Sequence, residues 1–202
     1  MARYTGPKNR LSRREGGNLQ EKTSAAPERR LPVHPGVHGP KGGRFKHSDY
    51  STQLREKQKA KRTYGLLEKQ FRKYYEAAAK VPGKTGEVLL QSLERRLDNS
   101  IYRLGFTPSR TMARQLVSHG HIMVNGKKVN IPSYSLKIDE VVTLVSKAMA
   151  MPAVKKMLEA AETKVPNYYE RQAAAGRLIK IPTREEIPTE VNEQLIIEFY
   201  SR

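Results

Sequence analysis

The residues best suited to chemistry sit in one short stretch. Residues 109–134 read SRTMARQLVSHGHIMVNGKKVNIPSY and carry Ser109, Arg110, Arg114, Gln115, His119, Asn125, Lys127 and Lys128, with Arg103 just upstream. Guanidinium forks clamp phosphate oxygens in bidentate fashion. The Ser109 hydroxyl and the amides of a helix beginning there add further donors for a phosphate. Arg114 and Gln115 are the side chains suited to base edges. No acid occurs between Asn99 and Lys137. A solvated surface mixes both signs, so this stretch points to a polyanion.

Other chemistries find no support. The histidines are His34, His38, His47, His119 and His121; only His34 and His38 stand four apart, and they do so in a Pro- and Gly-rich loop stretch rather than on a helix as a zincin pair does. There is no GxSxG, GxGxxG or P-loop stretch, so we expect no enzyme. Cysteine is absent, which excludes disulfides, a thiolate metal site and a Cys nucleophile. Without cysteines or clustered acids, His34, His38 and His47 make a poor metal site. No apolar run approaches the length of a bilayer span, and MARYTGPKNRLSRREGG lacks the apolar centre of a secretory signal. We expect a cytoplasmic protein with no membrane contact.

The elements that must position these residues follow from periodicity and breaks. Leu89, Leu93, Leu97, Ile101 and Leu104 mark one buried helical face, from a cap at Thr85 to a stop at Gly105. After Pro108, Met112, Ala113, Leu116 and Val117 line one side of a second, short helix that Gly120 ends. Ile122 and Val124 alternate with polar residues. Asn125-Gly126 is a strong hairpin tip, and Val129 and Ile131 return on the same parity. A third strand is predicted over 141–145. The unit is a small α+β module, residues 94–157.

Upstream, residues 1–47 form an extended basic arm with repeated Gly-Pro and Pro-Gly turns and no sustained apolar period. Its candidate RNA contacts are Arg3, Tyr4, Arg10, Arg13, Arg14, Arg44 and Lys46. Ser48 caps a helix, Gly65 separates it from another, and together they make a helical hairpin presenting Arg55, Lys57, Lys59, Arg62 and Arg72. Downstream, a helix is predicted over 149–163 and a strand over 178–181. The final LIIEFY run admits helix or strand, and Asn192 as a cap favours helix. The predicted division is an arm (1–47), a mainly helical domain (48–93) to which 158–202 returns, and the inserted module.

The chain has 202 residues and a formal net charge of +18. All of that excess lies in residues 1–150, because residues 151–202 are balanced. A surplus of this size fits a polyanion binder, since each neutralised phosphate releases condensed counterions. A broad basic surface suits a folded RNA better than a DNA groove, because the second helix is short. Tyr64, Tyr74, Tyr75, Tyr102 and Tyr134 could stack on bases, with packing the preferred role for Tyr74 and Tyr102.

Several segments also resemble one family. LERRLDNSIYRLGF, SRTMARQLVSHGHIMVNGKKVNIPSY and NEQLIIEFYSR are similar to bacterial small-subunit ribosomal protein S-four, as are RYTGP, SRREG, HPGVHG and SDYSTQLREKQKAKRTYGLLEKQF. The resemblance implies a primary binder of small-subunit (16S-type) rRNA that nucleates assembly of the subunit body. It implies ribosomal proteins S-five and S-three as neighbours, a part in decoding accuracy, and a place on the path by which mRNA enters, with Arg44 and Lys46 facing that path. It does not imply an obligate homo-oligomer. Many members hold zinc through four N-terminal cysteines. Here Asn9, Ser12 and Ala25 stand at three of those places, so no zinc is expected and no cofactor is needed. Tyr168 stands where members often carry tryptophan.

Overall fold

The computed structural model describes residues 4–19, 29–39, 48–160 and 165–202. The protein is α+β, with a small antiparallel sheet among its helices. The chain divides into two compact units, residues 1–86 with 190–202, and residues 87–189.

In the first unit, α1 is Lys8–Glu15, α2 is Asp49–Thr63 and α3 is Glu68–Ala79. The Ser48 hydroxyl accepts the Ser51 amide at 3.3 Å and caps α2, a feature worth about 1 kcal/mol. Leu66, Phe71 and Ala78 bury one side of the turn and of α3. The chain's last helix, Glu193–Tyr200, joins this unit, capped by Asn192, whose Oδ1 accepts the Gln194 amide at 3.0 Å. Its Tyr200 stacks on Tyr75 at 4.5 Å. Gln53 Nε2 of α2 donates to Glu198 at 2.9 Å. The final run is therefore helical, as its cap favours.

In the second unit, α4 (Thr85–Glu94, which starts at the boundary) is followed by α5 (Leu97–Arg103) and α6 (Arg110–Ser118). Strands β1 (Ile122–Val124), β2 (Lys127–Lys128) and β3 (Val141–Leu144) come next. Two short helices follow, α7 (Ser146–Met149) and α8 (Pro152–Glu159), then β4 (Tyr169–Gln172) and β5 (Ala175–Leu178). The last helix described above is α9. The sheet order is β2-β1-β3-β5-β4, every pair antiparallel. Its apolar face packs on α5 and α6 through a core that includes Leu97, Ile101, Phe106, Leu116, Ile122, Val142 and Tyr168. Asn125 (φ 47°) and Gly126 (φ 76°) both take the positive φ that a tight hairpin requires.

Several sequence expectations differ from this. The predicted single helix from Thr85 to Gly105 is broken at Arg95-Arg96. Arg96 is extended (φ −65°, ψ 136°) and pairs with Ser135. Leu97 N donates to Tyr134 O at 2.8 Å, and Leu136 N to Arg95 O at 2.9 Å. A distant segment thus takes over the backbone bonds, which no local period reveals. The apolar face survives the break, with all five predicted residues fully buried.

The helix predicted over 149–163 begins instead at Pro152, and Met149 closes the separate short helix α7, because Pro152 at a first helical position holds Met151 extended (φ −70°, ψ 130°). Residues 161–164 lie outside the described residues. The third strand ends at Leu144, one residue early, since Val145 caps α7. The strand predicted over 178–181 lies at 175–178, leaving Ile179 and Ile181 on the surface. Ile131 does not return to the core: the chain turns there, with Tyr134 N donating to Ile131 O.

The domain division also needs correction. Residues 158–189 do not return to the helical domain. β5 pairs with β3, so β4 and β5 extend the module's own sheet, and only 190–202 belong with the first unit. The arm, too, is not wholly extended, because residues 8–15 are helical. Arg13 explains part of this, donating from Nε to Val33 O at 2.7 Å and from Nη2 to His34 O at 3.0 Å.

Candidate nucleic-acid interface

Folding brings the end of α6 and the β1–β2 hairpin together. Gln115 and His119 project from the α6 end, and Asn125, Lys127 and Lys128 from the hairpin, all exposed. The hairpin is pinned by the Asn125 side chain, whose Oδ1 accepts the Val141 amide at 2.9 Å. Gly120 has φ +70°. A Cβ there would meet Lys128 Cε at 2.5 Å, so the Lys128 stem crosses the glycine. The His119 and His121 rings lie 6.2 Å apart. Partial burial, then Lys147, His119 and Lys128, hold the His121 pKa below its ordinary value. Among the described residues no carboxylate pairs with Lys127, Lys128 or His119.

Ser109 caps α6, its Oγ accepting the Met112 amide at 3.3 Å. Arg110 lies with its guanidinium 4.4 Å from the Tyr102 ring centroid, a cation–π contact. Its Nε donates to Asn99 Oδ1 at 2.9 Å. Arg114 donates to Asp98 Oδ2 at 3.4 Å. These two arginines are held on the fold and are partly accessible.

Arg103 is placed differently. It is 8% exposed and donates from Nε and Nη2 to Glu94, both at 2.9 Å. Glu94 is fully buried and also accepts from Asn99 Nδ2 at 2.7 Å and the Tyr168 hydroxyl at 3.1 Å. Tyr169 donates to the Glu94 carbonyl, and its hydroxyl lies 2.6 Å from Ser100 Oγ. Burial first, and the Glu94 charge with it, raises the pKa of Tyr168 well above the ordinary phenol value; burial likewise raises that of Tyr169. Arg96, also fully buried, clamps Asp98 at 3.0 and 2.7 Å. Arg103 is expected from sequence to meet a phosphate; in the structure its guanidinium neutralises a buried acid inside the fold.

The first unit's cations are also more compensated than sequence implied. Arg55 and Arg62 both pair with Glu15 of α1, whose side chain is 1% exposed. Lys57 is buried, donates to Glu68 at 2.9 Å and sits 4.3 Å over the Phe199 ring. It is an internal cation rather than a surface one, because α9 covers it. Arg72 pairs with Glu76 one turn on and is exposed. Lys59 is half-buried on α2. Tyr4, Arg10 and Arg14 are exposed, while Arg13 is engaged with the chain as above. Arg3, Arg44 and Lys46 lie outside the described residues.

Of the tyrosines, Tyr64 is buried, Tyr75 is stacked on Tyr200, and Tyr102 lies under Arg110. Tyr134 donates to Glu140 at 2.8 Å. Among the described residues no cluster of His, Asp and Glu could hold a metal ion, and His47 lies outside them. Sequence reasoning missed Asn99 and Asp98 as supports for Arg110 and Arg114. The signal was present: polar residues fall between leucines of a buried face in LERRLDNS.

The structure defines an α+β protein with a compact cationic module and, among the described residues, no helix long and apolar enough to cross a membrane. Residues 3–94 match the ribosomal protein S4/S9 N-terminal domain, and residues 95–142 match the S4 domain. The chain is 52% identical over 205 residues to the small ribosomal subunit protein uS4 of Akkermansia muciniphila and to that of Cutibacterium acnes. It is 53% identical over 209 residues to that of Dictyoglomus thermophilum, and each alignment covers 100% of both chains. The chain belongs to the bacterial ribosomal protein S4 family, whose members are structural ribosomal proteins and not enzymes.

Proposed function

We propose that this chain is a primary binder of small-subunit rRNA, and that its hairpin end grips the phosphate backbone. Gln115, His119, Asn125, Lys127 and Lys128 make the exposed part of that surface. Arg110 and Arg114 make its fixed part, preorganised by Asn99 and Asp98. The single observation behind this reading is the convergence of α6 and the hairpin on one carboxylate-poor end of the module. Arg10, Arg14, Lys59 and Arg72 extend the contacts in the first unit, and Arg3, Arg44 and Lys46 in the arm. Arg103 and Lys57 are left out of the contact set, since both neutralise acids within the fold.

By family resemblance, the bound rRNA is a junction of the 5′ domain, and binding there nucleates the subunit body. The same resemblance makes S-five and S-three the neighbours, sets the arm beside incoming mRNA, and gives the chain a part in decoding accuracy and a cytoplasmic location on the ribosome. The test is filter binding to a transcribed 5′-domain fragment of small-subunit rRNA, with excess duplex DNA as competitor. The expected result is retention on the RNA with a steep salt dependence. Displacement by the duplex would overturn the reading in favour of a DNA-binding regulator.

A further inference from the structure

Two polar side chains at the hairpin end have no part in the surface described so far. His121 follows Gly120 and is half-buried, and Lys147 is exposed on α7. The backbone fixes their mutual position. His121 N donates to Leu116 O at 3.0 Å, and Val145 N donates to His121 O at 3.0 Å. The first bond ties His121 to the end of α6, and the second ties it to the residue that caps α7. Lys128 arrives from β2 across Gly120. Three elements therefore meet around His121, and each brings a basic side chain: His119 from the end of α6, Lys128 from β2 and Lys147 from α7.

We infer that His121 and Lys147, with His119 and Lys128, form a phosphate grip in which an imidazole takes up a proton as the polyanion docks, so that RNA binding is coupled to pH. This rests on the RNA-binding reading above. In the free protein, partial desolvation and the neighbouring cations disfavour the charged form of His121. An incoming phosphate reverses the balance, because an opposite charge within a few ångströms favours the imidazolium. The proton comes from solvent, and no bond is made or broken beyond it. Any group whose proton affinity rises on binding makes that binding tighter at lower pH. Lys147 supplies a fixed contact beside it.

The test uses the full-length chain and the transcribed 5′-domain rRNA fragment at constant salt, from pH 8 to pH 6. The wild type is expected to bind more tightly at the lower pH, by up to about tenfold for each pH unit, the limit that one coupled proton sets. Titration calorimetry in two buffers of different ionisation enthalpy should register net proton uptake. His119→Gln with His121→Gln should flatten the pH dependence, and because His119 is itself part of the contact surface the variant should also bind more weakly than wild type at pH 8. Because His121 is half-buried, the exposed Lys147→Gln serves as an independent check. It should reduce the salt slope by about one contact and leave the fold intact by circular dichroism. Binding that is independent of pH, or a pH dependence that survives in the double histidine variant, overturns the proton coupling alone. An unchanged salt slope for Lys147→Gln removes Lys147 from the grip. Failure of the wild type to bind the RNA at any pH overturns both this inference and the reading beneath it.

Discussion

Residues 94–103 and residues 115–128 belong to the same unit and hold similar polar side chains, yet they put them to opposite uses. In the first stretch Glu94, Arg96, Asp98, Asn99, Ser100 and Arg103 are all buried. Their charges are matched, Arg103 with Glu94 and Arg96 with Asp98. In the second stretch Gln115, His119, Lys127 and Lys128 are exposed, and no carboxylate among the described residues answers the three basic ones. The difference shows that a cation's role is set by where its counter-charge lies. A buried arginine needs an acid inside the fold, because desolvation of an unpaired charge costs several kcal/mol. A surface lysine can leave its counter-charge to an external partner.

The sharpest way to break this contrast is to remove an internal acid. Glu94→Gln leaves the Arg103 guanidinium buried without its counter-charge and is expected to destabilise the protein by about 3 kcal/mol or more. Urea unfolding followed by circular dichroism measures this, and a midpoint unchanged from wild type would show that the network is not electrostatically matched. A smaller loss is expected from Asn99→Ala, which removes the links to both Glu94 and Arg110. It should lower stability by about 1–3 kcal/mol and weaken RNA binding as well, since Arg110 loses its anchor. Filter binding of the folded variant separates the two effects.

At the exposed end the outcome should invert. Lys127→Ala and Lys128→Ala are each expected to change stability by no more than about 0.5 kcal/mol, yet each should flatten the salt dependence of RNA binding by about one unit. If either variant unfolds the chain and keeps the wild-type slope, the hairpin lysine is structural and the comparison fails.

The smallest effect concerns Glu68 in the first unit. Burial alone would raise its pKa, but hydrogen bonds from Lys61, Lys57 and Tyr200 outweigh it and lower the value to about 2. A depressed folded-state pKa contributes stability that is complete above the ordinary value of about 4.5 and is lost as pH falls towards 2. The carboxylate is 45% exposed, so solvent screening keeps the contribution small. Comparing urea midpoints of wild type and Glu68→Gln at pH 6 and pH 3 checks this: the gap between them should narrow at the lower pH.

How much of this was readable from residues alone varies by element. The hairpin tip was legible because Asn125-Gly126 states its backbone requirement locally. The buried leucine face was legible because helical period survives the interruption at Arg96. The interruption itself was not, since it depends on backbone pairing with residues 134–136. Strand β4 was hidden because YERQ carries little strand propensity and gains its place by pairing with β5. Among the cations, nothing local distinguishes Arg103 from Arg110. Both lie in a basic, acid-poor neighbourhood, and only packing decides which one Glu94 claims.

The sequence by itself determined the charge surplus, its confinement to residues 1–150, the absence of cysteine and the family to which the chain belongs. Those properties are sums and local patterns, and folding does not alter them. Only the tertiary structure decided which cations remain available to a partner. Glu15, Glu68, Glu94 and Asp98 meet their arginines and lysines by side-chain packing, much of it between elements well separated along the chain. Charge pairing acts over a few ångströms in space, and a one-dimensional count cannot show which opposite charges the fold will bring that close.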